Sequence, residues 1–527
     1  MPVPDLFRQG LRDGWQVFDA TQAMPNLPEF DVVIIGSGAG GGTAAEILAL
    51  AGQRVLILEE GALKTSSDFE NDELKAYTEM YQEGALRTTA DGSISILQGR
   101  TVGGTTTVNW TSSFRTPEST LGTWQRDYGI DYANTSSMTP WFEQIETRLN
   151  VERWAMPPNA NNDVIRNGCE ALGWHWDIIP RNVTGCWNLG YCGTGCPVNA
   201  KQSMLVTTIP NALSHHAVLI HSARVERLDI QGDTVKGVFV SPMNTWLTRS
   251  DGPGFYVSAK RIICAGGAIN TPALLMRSKA PDPYKVLGSR TFLHPVCMTA
   301  AQFEQPINGF YGAPQSVYSD HFNDIPLDQS RLGYKLEVPP MQPSVVSALL
   351  GSWGVENWLR MQQLSHTNVM LALMRDGFLP DCQGGQVQLR RNGDAVLDYP
   401  LKESLWRTVR DALLNMAKIQ FAAGAQRVMP LHTGAEYADS ESALVNMLEN
   451  LPYERLKVRL SSAHVMGGCR MGLDPQQSVT RIDGRHHQLQ NCWIFDGSIF
   501  PTSVGANPQL SIYAFVARLA TQLAEQS

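Results

Sequence analysis

The chain has 527 residues, 43% of them hydrophobic, and a formal net charge of −8 with a pI near 5.8. That length exceeds what one compact core organises, so two structural domains are expected. The acidic balance and the lack of a Lys/Arg-rich stretch argue against nucleic acid as a partner, and no run of about 18 apolar residues is present to span a membrane.

The first residues, MPVPDLFRQGLRDGW, show no apolar run behind a basic start. No signal peptide is expected, and a cytoplasmic location follows, with peripheral membrane contact left open. Residues 31–35 (DVVII) read as a buried parallel strand ended by glycine. Gly36-Ser-Gly38-Ala-Gly-Gly41 comes next, then a helix over 43–51 and a second strand over 55–58 that delivers Glu59. This strand–turn–helix–strand unit with a following acid is a dinucleotide-binding pattern. Gly36 permits the tight turn, Gly38 a close approach of pyrophosphate to backbone, and Gly41 close packing of helix on sheet. The helix N-terminus would face the phosphates, and Glu59 would accept from the adenosine ribose. There is no second GxGxxG, and further glycine-rich segments lie far along the chain. Both features favour FAD over NAD.

Nine cysteines, an odd count with no leader expected, argue against a disulfide framework. Cys186, Cys192 and Cys196 stand apart with C-x5-C-x3-C spacing followed by Pro197. Three readings stay open: an iron–sulfur ligand set, a zinc site short of its fourth ligand, or a loop of packed thiols.

Four segments carry a resemblance: 99–109 (GRTVGGTTTVN), 264–275 (CAGGAINTPALL), 464–472 (HVMGGCRMG) and 496–508 (DGSIFPTSVGANP). In order and spacing they resemble the glucose–methanol–choline (GMC) flavoprotein oxidoreductases, from about residue 30 to the C-terminus and least between 300 and 455. The cysteine segment followed by AKQS, over 186–203, is similar to the bacterial long-chain alcohol oxidase/dehydrogenase branch. The resemblance implies an α/β fold, with a Rossmann-type FAD-binding domain and a second α+β substrate domain built on an antiparallel sheet. The expected organisation is a discontinuous FAD domain from 28–110, 215–298 and 485–527, an insert over the flavin at 111–214, and a substrate domain at 299–484.

It also implies site roles. Arg100, Gly103, Gly104, Thr105 and Asn109 would lie along the flavin and pyrophosphate. Val225 would hold the adenine, Ala265 and Gly266 would close the nucleotide pocket, and Asp496, Gly497 and Pro508 would sit near the ribityl chain and the flavin. Val108 stands where some members carry a flavin-linking histidine, so non-covalent FAD is expected. His464 matches the family's catalytic histidine and Asn507 its partner. The implied reaction is oxidation of a primary alcohol, long-chain and aliphatic, by hydride transfer to flavin N5 with His464 as base. A non-redox FAD-containing lyase of the same fold is the alternative. The cysteine spacing is also similar to the segment that binds a 3Fe-4S cluster in bacterial FAD-dependent glucose dehydrogenases. A cluster would pass electrons to an acceptor protein or a small partner subunit.

Asn507-Pro508 reads as the N-cap and first residue of a helix with apolar residues at Ile512, Phe515, Val516, Leu519, Ala520 and Leu523 on one face. The stretch 337–374, rich in Met, Leu, Val and Trp, is expected to line an apolar pocket, rest on a membrane, or form ordinary core.

Overall fold

A computed structural model describes residues 3–244, 252–324 and 330–526. The expected strand over 31–35 forms as Phe30–Ile35, and a helix spans Ala39–Leu50. These two flank the glycine turn and set the geometry of everything downstream. Phe30–Ile35 lies in an eight-stranded sheet between Val55–Leu58 and Phe255–Cys264, parallel to both. Val218–His221 and Gln16–Asp19 extend the parallel side beyond Val55–Leu58. Thr234–Pro242 and Ala223–Gln231 form an antiparallel extension beyond Phe255–Cys264. Near the other end of the chain, Cys492–Ile494 adds in parallel beside Phe255–Cys264. The central strands are apolar on both faces: Val32, Val33, Ile34, Leu56 and Ile57 have no exposure. Such continuous burial is what helices on both sides of a parallel sheet require. One covering helix is Ala39–Leu50, against which the C-terminal helix Gln509–Glu525 packs.

A second, six-stranded sheet is mainly antiparallel. Its order is Tyr334–Glu337, Thr367–Met374, Val296–Gln302, Leu460–Ser462 and Ile94–Ile96, with Arg427–Pro430 also pairing Val296–Gln302. The last pair in that order is parallel. The long helix Glu403–Ala422 covers this sheet through Leu405, Val409, Leu413 and Met416, spaced for one buried face. The apolar stretch 337–374 divides. Thr367–Met374 is a fully buried strand, whereas helix Gly354–Gln362 buries none of its residues and leaves Trp353, Val355, Trp358 and Leu359 exposed. Among the described residues no helix is long and apolar enough to cross a membrane.

Candidate active site

One elongated cavity runs from the glycine turn of the parallel sheet to the inner face of the second sheet. Its first end is floored by glycine. Gly36, at φ +102°, presses on the Ala265 carbonyl, where an added Cβ would come within 2.4 Å. Gly38 faces open space, with only Gly104 Cα at 3.9 Å from where a Cβ would stand. The N-terminus of helix Ala39–Leu50, whose first N–H groups lack intrahelical acceptors, opens on this slot. Glu59 lines it from the end of strand Val55–Leu58. One Glu59 oxygen accepts from the Ser37 N–H and hydroxyl, the other from the Gly61 N–H, and burial pushes its carboxyl up. This carboxylate therefore shapes the turn and still has lone pairs to offer. Asp496 braces the middle of the cavity, accepting from the Gly267 N–H, the Thr271 hydroxyl and the Ser498 N–H. Glycine-scale clearance, a helix N-terminus and a carboxylate at a strand end fit a dinucleotide.

The far end is built by different elements. His464 follows strand Leu460–Ser462, and Asn507 precedes the C-terminal helix. Both line the cavity, as do Val296, Leu371 and Leu373 from the second sheet. His464 is half-buried. Burial, reinforced by the Lys335 charge, pushes its pKa down to about 3. Its Nδ1 lies 3.3 Å from Nδ1 of His294. Asn507 donates from Nδ2 to Glu337 Oε2 at 3.2 Å. Glu337 has no exposure, and burial pushes its carboxyl up. Lys335, itself lowered to about 7 by burial, stands 3.9 Å from the other Glu337 oxygen and over the rings of Phe114 and Tyr318.

The cavity wall includes Gly36, Gly38, Glu59, Gly104, Thr105, Asn109, Val225, Ala265, Gly266, Asp496, Gly497 and Pro508. Gly41, Gly103 and Arg100 stand behind it. A Cβ on Gly41 would meet the Gly36 carbonyl at 1.9 Å. Gly103 gives its N–H to Ser37 Oγ, and Arg100 pairs with Glu60 at 3.4 Å. Asn507 is not the helix cap. The helix runs Gln509–Glu525 with Pro508 at the cap position, and the Asn507 side-chain oxygen accepts from no helix N–H. Sequence reasoning missed His294, Gln315, Lys335 and Glu337. His294 precedes a proline at φ +45°, a backbone signal no spacing rule reveals.

The cysteine loop does not assemble as a metal site. Among the described residues, no group of three or more His, Cys, Asp or Glu side chains is placed to hold an ion. Cys186, Cys192 and Cys196 are free thiols of intermediate burial. Their neighbours engage them singly: the Asn188 N–H points at Cys186 Sγ, and Arg181 Nη2 stands 3.6 Å from Cys192 Sγ. The buried Lys201 ammonium donates to the carbonyls of Thr107, Asn109 and Cys192, so it ties this loop to the cavity wall. Of the three readings of the spacing, these contacts are those of a loop of packed thiols, and nothing supports an iron–sulfur or zinc ligand set.

Models of the GMC oxidoreductase family match residues 77–296 and 382–515. The chain belongs to the GMC oxidoreductases. It is accordingly an oxidoreductase, and the family supports FAD as its cofactor. A GMC-type oxidoreductase of uncharacterized activity from Mycobacterium tuberculosis is 31% identical over 94% of this chain and 76% of its own length. A long-chain-alcohol oxidase from Arabidopsis thaliana is 30% identical over 92% of this chain and 65% of its own length. The chain spans about two thirds of the length of the plant relatives it matches. Among solved structures, pyridoxine 4-oxidase from Mesorbium loti superposes with a TM-score of 0.68 at 16% identity, covering 94% of this chain and 99% of that one. A variant of Aspergillus oryzae RIB40 formate oxidase, studied for FAD modification, gives 0.71 at 14% identity, covering 95% and 99%. These structural likenesses establish the fold.

Proposed function

We propose that this GMC oxidoreductase oxidises a primary alcohol, long-chain and aliphatic, to the aldehyde with non-covalently held FAD. One observation carries the reading: a single cavity joins the glycine-floored slot to the His464–Asn507 pair and ends on Val296, Leu371 and Leu373. Gly36, Gly38, Gly104, Glu59, Val225, Ala265, Gly266 and Asp496 would hold the dinucleotide, and Thr105, Asn109, Gly497 and Pro508 the flavin end. Bound FAD supplies a two-electron acceptor for the hydrogen of the carbinol carbon. His464 and Asn507 would hold the hydroxyl. The leucine and valine wall suits an alkyl chain and offers nothing to a sugar's many hydroxyls. On this reading the segments 28–110, 215–298 and 485–527 act as the FAD domain, 111–214 as its cover and 299–484 as the substrate domain. The plant relatives named as long-chain-alcohol oxidases support the substrate class.

The test is anaerobic mixing of the yellow protein with a series of primary alcohols of increasing chain length. Bleaching of the flavin, faster for the longer alcohols, is expected. A flavin that stays oxidised with every alcohol sinks the proposal and leaves a non-redox lyase of this fold.

A further inference from the structure

We infer that the helix pair Pro343–Leu349 and Gly354–Gln362 is a docking surface for the headgroup layer of a zwitterionic lipid bilayer, from which a long-chain alcohol reaches the cavity. The surface stands on its own geometry; the delivery of alcohol rests on the reading proposed above.

The second helix has its amphipathicity reversed. A surface helix normally turns its apolar stripe inward and its polar residues to water. Here Asn357 and Arg360 face the protein: Asn357 Nδ2 donates to Ser347 Oγ and Arg360 Nη1 to the Leu350 carbonyl, both at 2.8 Å. Val355, Trp358 and Leu359 share the opposite face at i, i+3, i+4 spacing, and they are 73%, 59% and 51% exposed. Trp353, at the cap position, is 86% exposed. Keeping four large apolar side chains in water while polar ones turn inside is unfavourable for a surface that meets only water.

The patch is held firmly and backs onto the active site. Glu73 accepts from the N–H groups of Ser344 and Val345 at the start of the first helix, at 2.9 and 3.2 Å. Val346 and Leu350 belong to the same apolar cluster as Val296, Leu371 and Leu373, and Met361 of the second helix packs against it. Val296, Leu371 and Leu373 are the apolar wall of the cavity. The outward face therefore lies behind the wall assigned to the alkyl chain.

The chemistry of the patch selects its occupant. Two indoles beside leucine and valine suit a membrane interface, where a ring lies among acyl chains and its N–H reaches headgroup oxygens. Glu356 and Arg360, the charges of the helix, pair with each other, so the face offers no free charge to an anionic lipid or a charged protein. A stable dimer takes about 20–30 residues a side, which four side chains around one nine-residue helix do not supply. A long-chain alcohol also collects in a bilayer, because each methylene favours the acyl layer over water.

Flotation of the holoenzyme with phosphatidylcholine vesicles tests this, with and without phosphatidylglycerol, at low salt and at about 0.5 M salt, where exposed charges are screened. Wild type is expected to float with pure phosphatidylcholine at both salt concentrations. Trp353→Ser combined with Trp358→Ser should lower the partition coefficient about tenfold or more. Leu50→Ser combined with Leu473→Ser, exposed leucines elsewhere on the surface, should leave it unchanged. Flavin reduction by dissolved 1-hexanol should be the same in the tryptophan variant, and reduction by 1-hexadecanol carried in the vesicles should fall with the binding. Flotation that requires phosphatidylglycerol or is lost at high salt overturns the inference, as does a tryptophan variant that floats like wild type. A wild-type dimer that the variant loses on sedimentation gives the face to a second copy and overturns it too. Wild type that stays off phosphatidylcholine overturns it without any variant. If no alcohol reduces the flavin, the alcohol reading fails while flotation still decides the surface.

Discussion

Gly38 holds φ −69° at the cap position of helix Ala39–Leu50, and a methyl group added there enters open cavity. Alanine adopts that backbone angle. Restricting the unfolded chain contributes about 0.4–1 kcal/mol of stability, and a poorer cap costs up to about 1 kcal/mol. The two nearly cancel, so the melting point of the cofactor-free protein should move by no more than about 2 °C. Binding is another matter. The methyl group stands where a phosphate must approach the helix N–H groups, and one lost charge-assisted hydrogen bond is worth about 1.5–3 kcal/mol. The FAD Kd of Gly38→Ala should rise roughly 10- to 150-fold. Flavin-fluorescence titration of apoprotein measures the affinity, and thermal unfolding measures the fold. Gly41→Ala is the contrast: its Cβ would lie 1.9 Å from the Gly36 carbonyl, so it should damage the fold itself. A Gly38→Ala protein that binds FAD as tightly as wild type would falsify the placement of the dinucleotide in this slot.

His464→Ala should slow anaerobic flavin reduction about 10²–10⁴-fold per bound flavin, the usual contribution of a general base, with FAD content unchanged; stopped-flow reduction normalised to flavin checks it. FAD should be released whole on acid denaturation, because Val108 offers no linking nitrogen, and flavin retained in the washed precipitate contradicts this. Leu371→Glu places a carboxylate in the apolar wall and should raise KM for long alcohols much more than for short ones; equal shifts would remove that wall from the chain-binding role. Burial lowers the Lys335 pKa to about 7 in the folded protein, against about 10.4 in an unfolded chain. Between those values the unfolded state binds the extra proton, so stability should rise with pH from about 7 toward 10. Lys335→Met should flatten that rise and stabilise most below pH 7, as read from melting points across the range.

The nucleotide end of the site was legible because its information is local. The turn Gly36–Gly41, Glu59 and the strands around them lie within thirty residues, and Gly36 and Gly41 answer to close backbone contacts. Even there, sequence could not separate cavity glycines from packing ones: Gly41 and Gly103 share the motifs but face protein. The chemistry end was legible only at His464 and Asn507, through their motifs. Their supports, His294 and Glu337, come from distant segments that the second sheet draws together. Neither lies in a spacing pattern, and with eleven histidines in the chain residue type could not single one out. The cysteine spacing left its three readings open for a related reason. Regular intervals say nothing about where a loop points its thiols, and here Arg181 and Asn188 engage two of them singly.

Strand Cys492–Ile494 and helix Gln509–Glu525 also set the timetable of folding. The strand completes a sheet whose other members lie within residues 16–264, and the helix covers Ala39–Leu50. During synthesis the glycine turn emerges more than four hundred residues before its cover does. Until then the apolar face of the first helix is open to unwanted partners, and the parallel sheet waits for a contact of very high sequence separation, which is slow to form. The nascent chain should therefore depend on chaperones and on slow, cool expression. Free FAD should raise the yield of folded protein only when it is present as the last forty residues dock, and do little when it is supplied and withdrawn earlier.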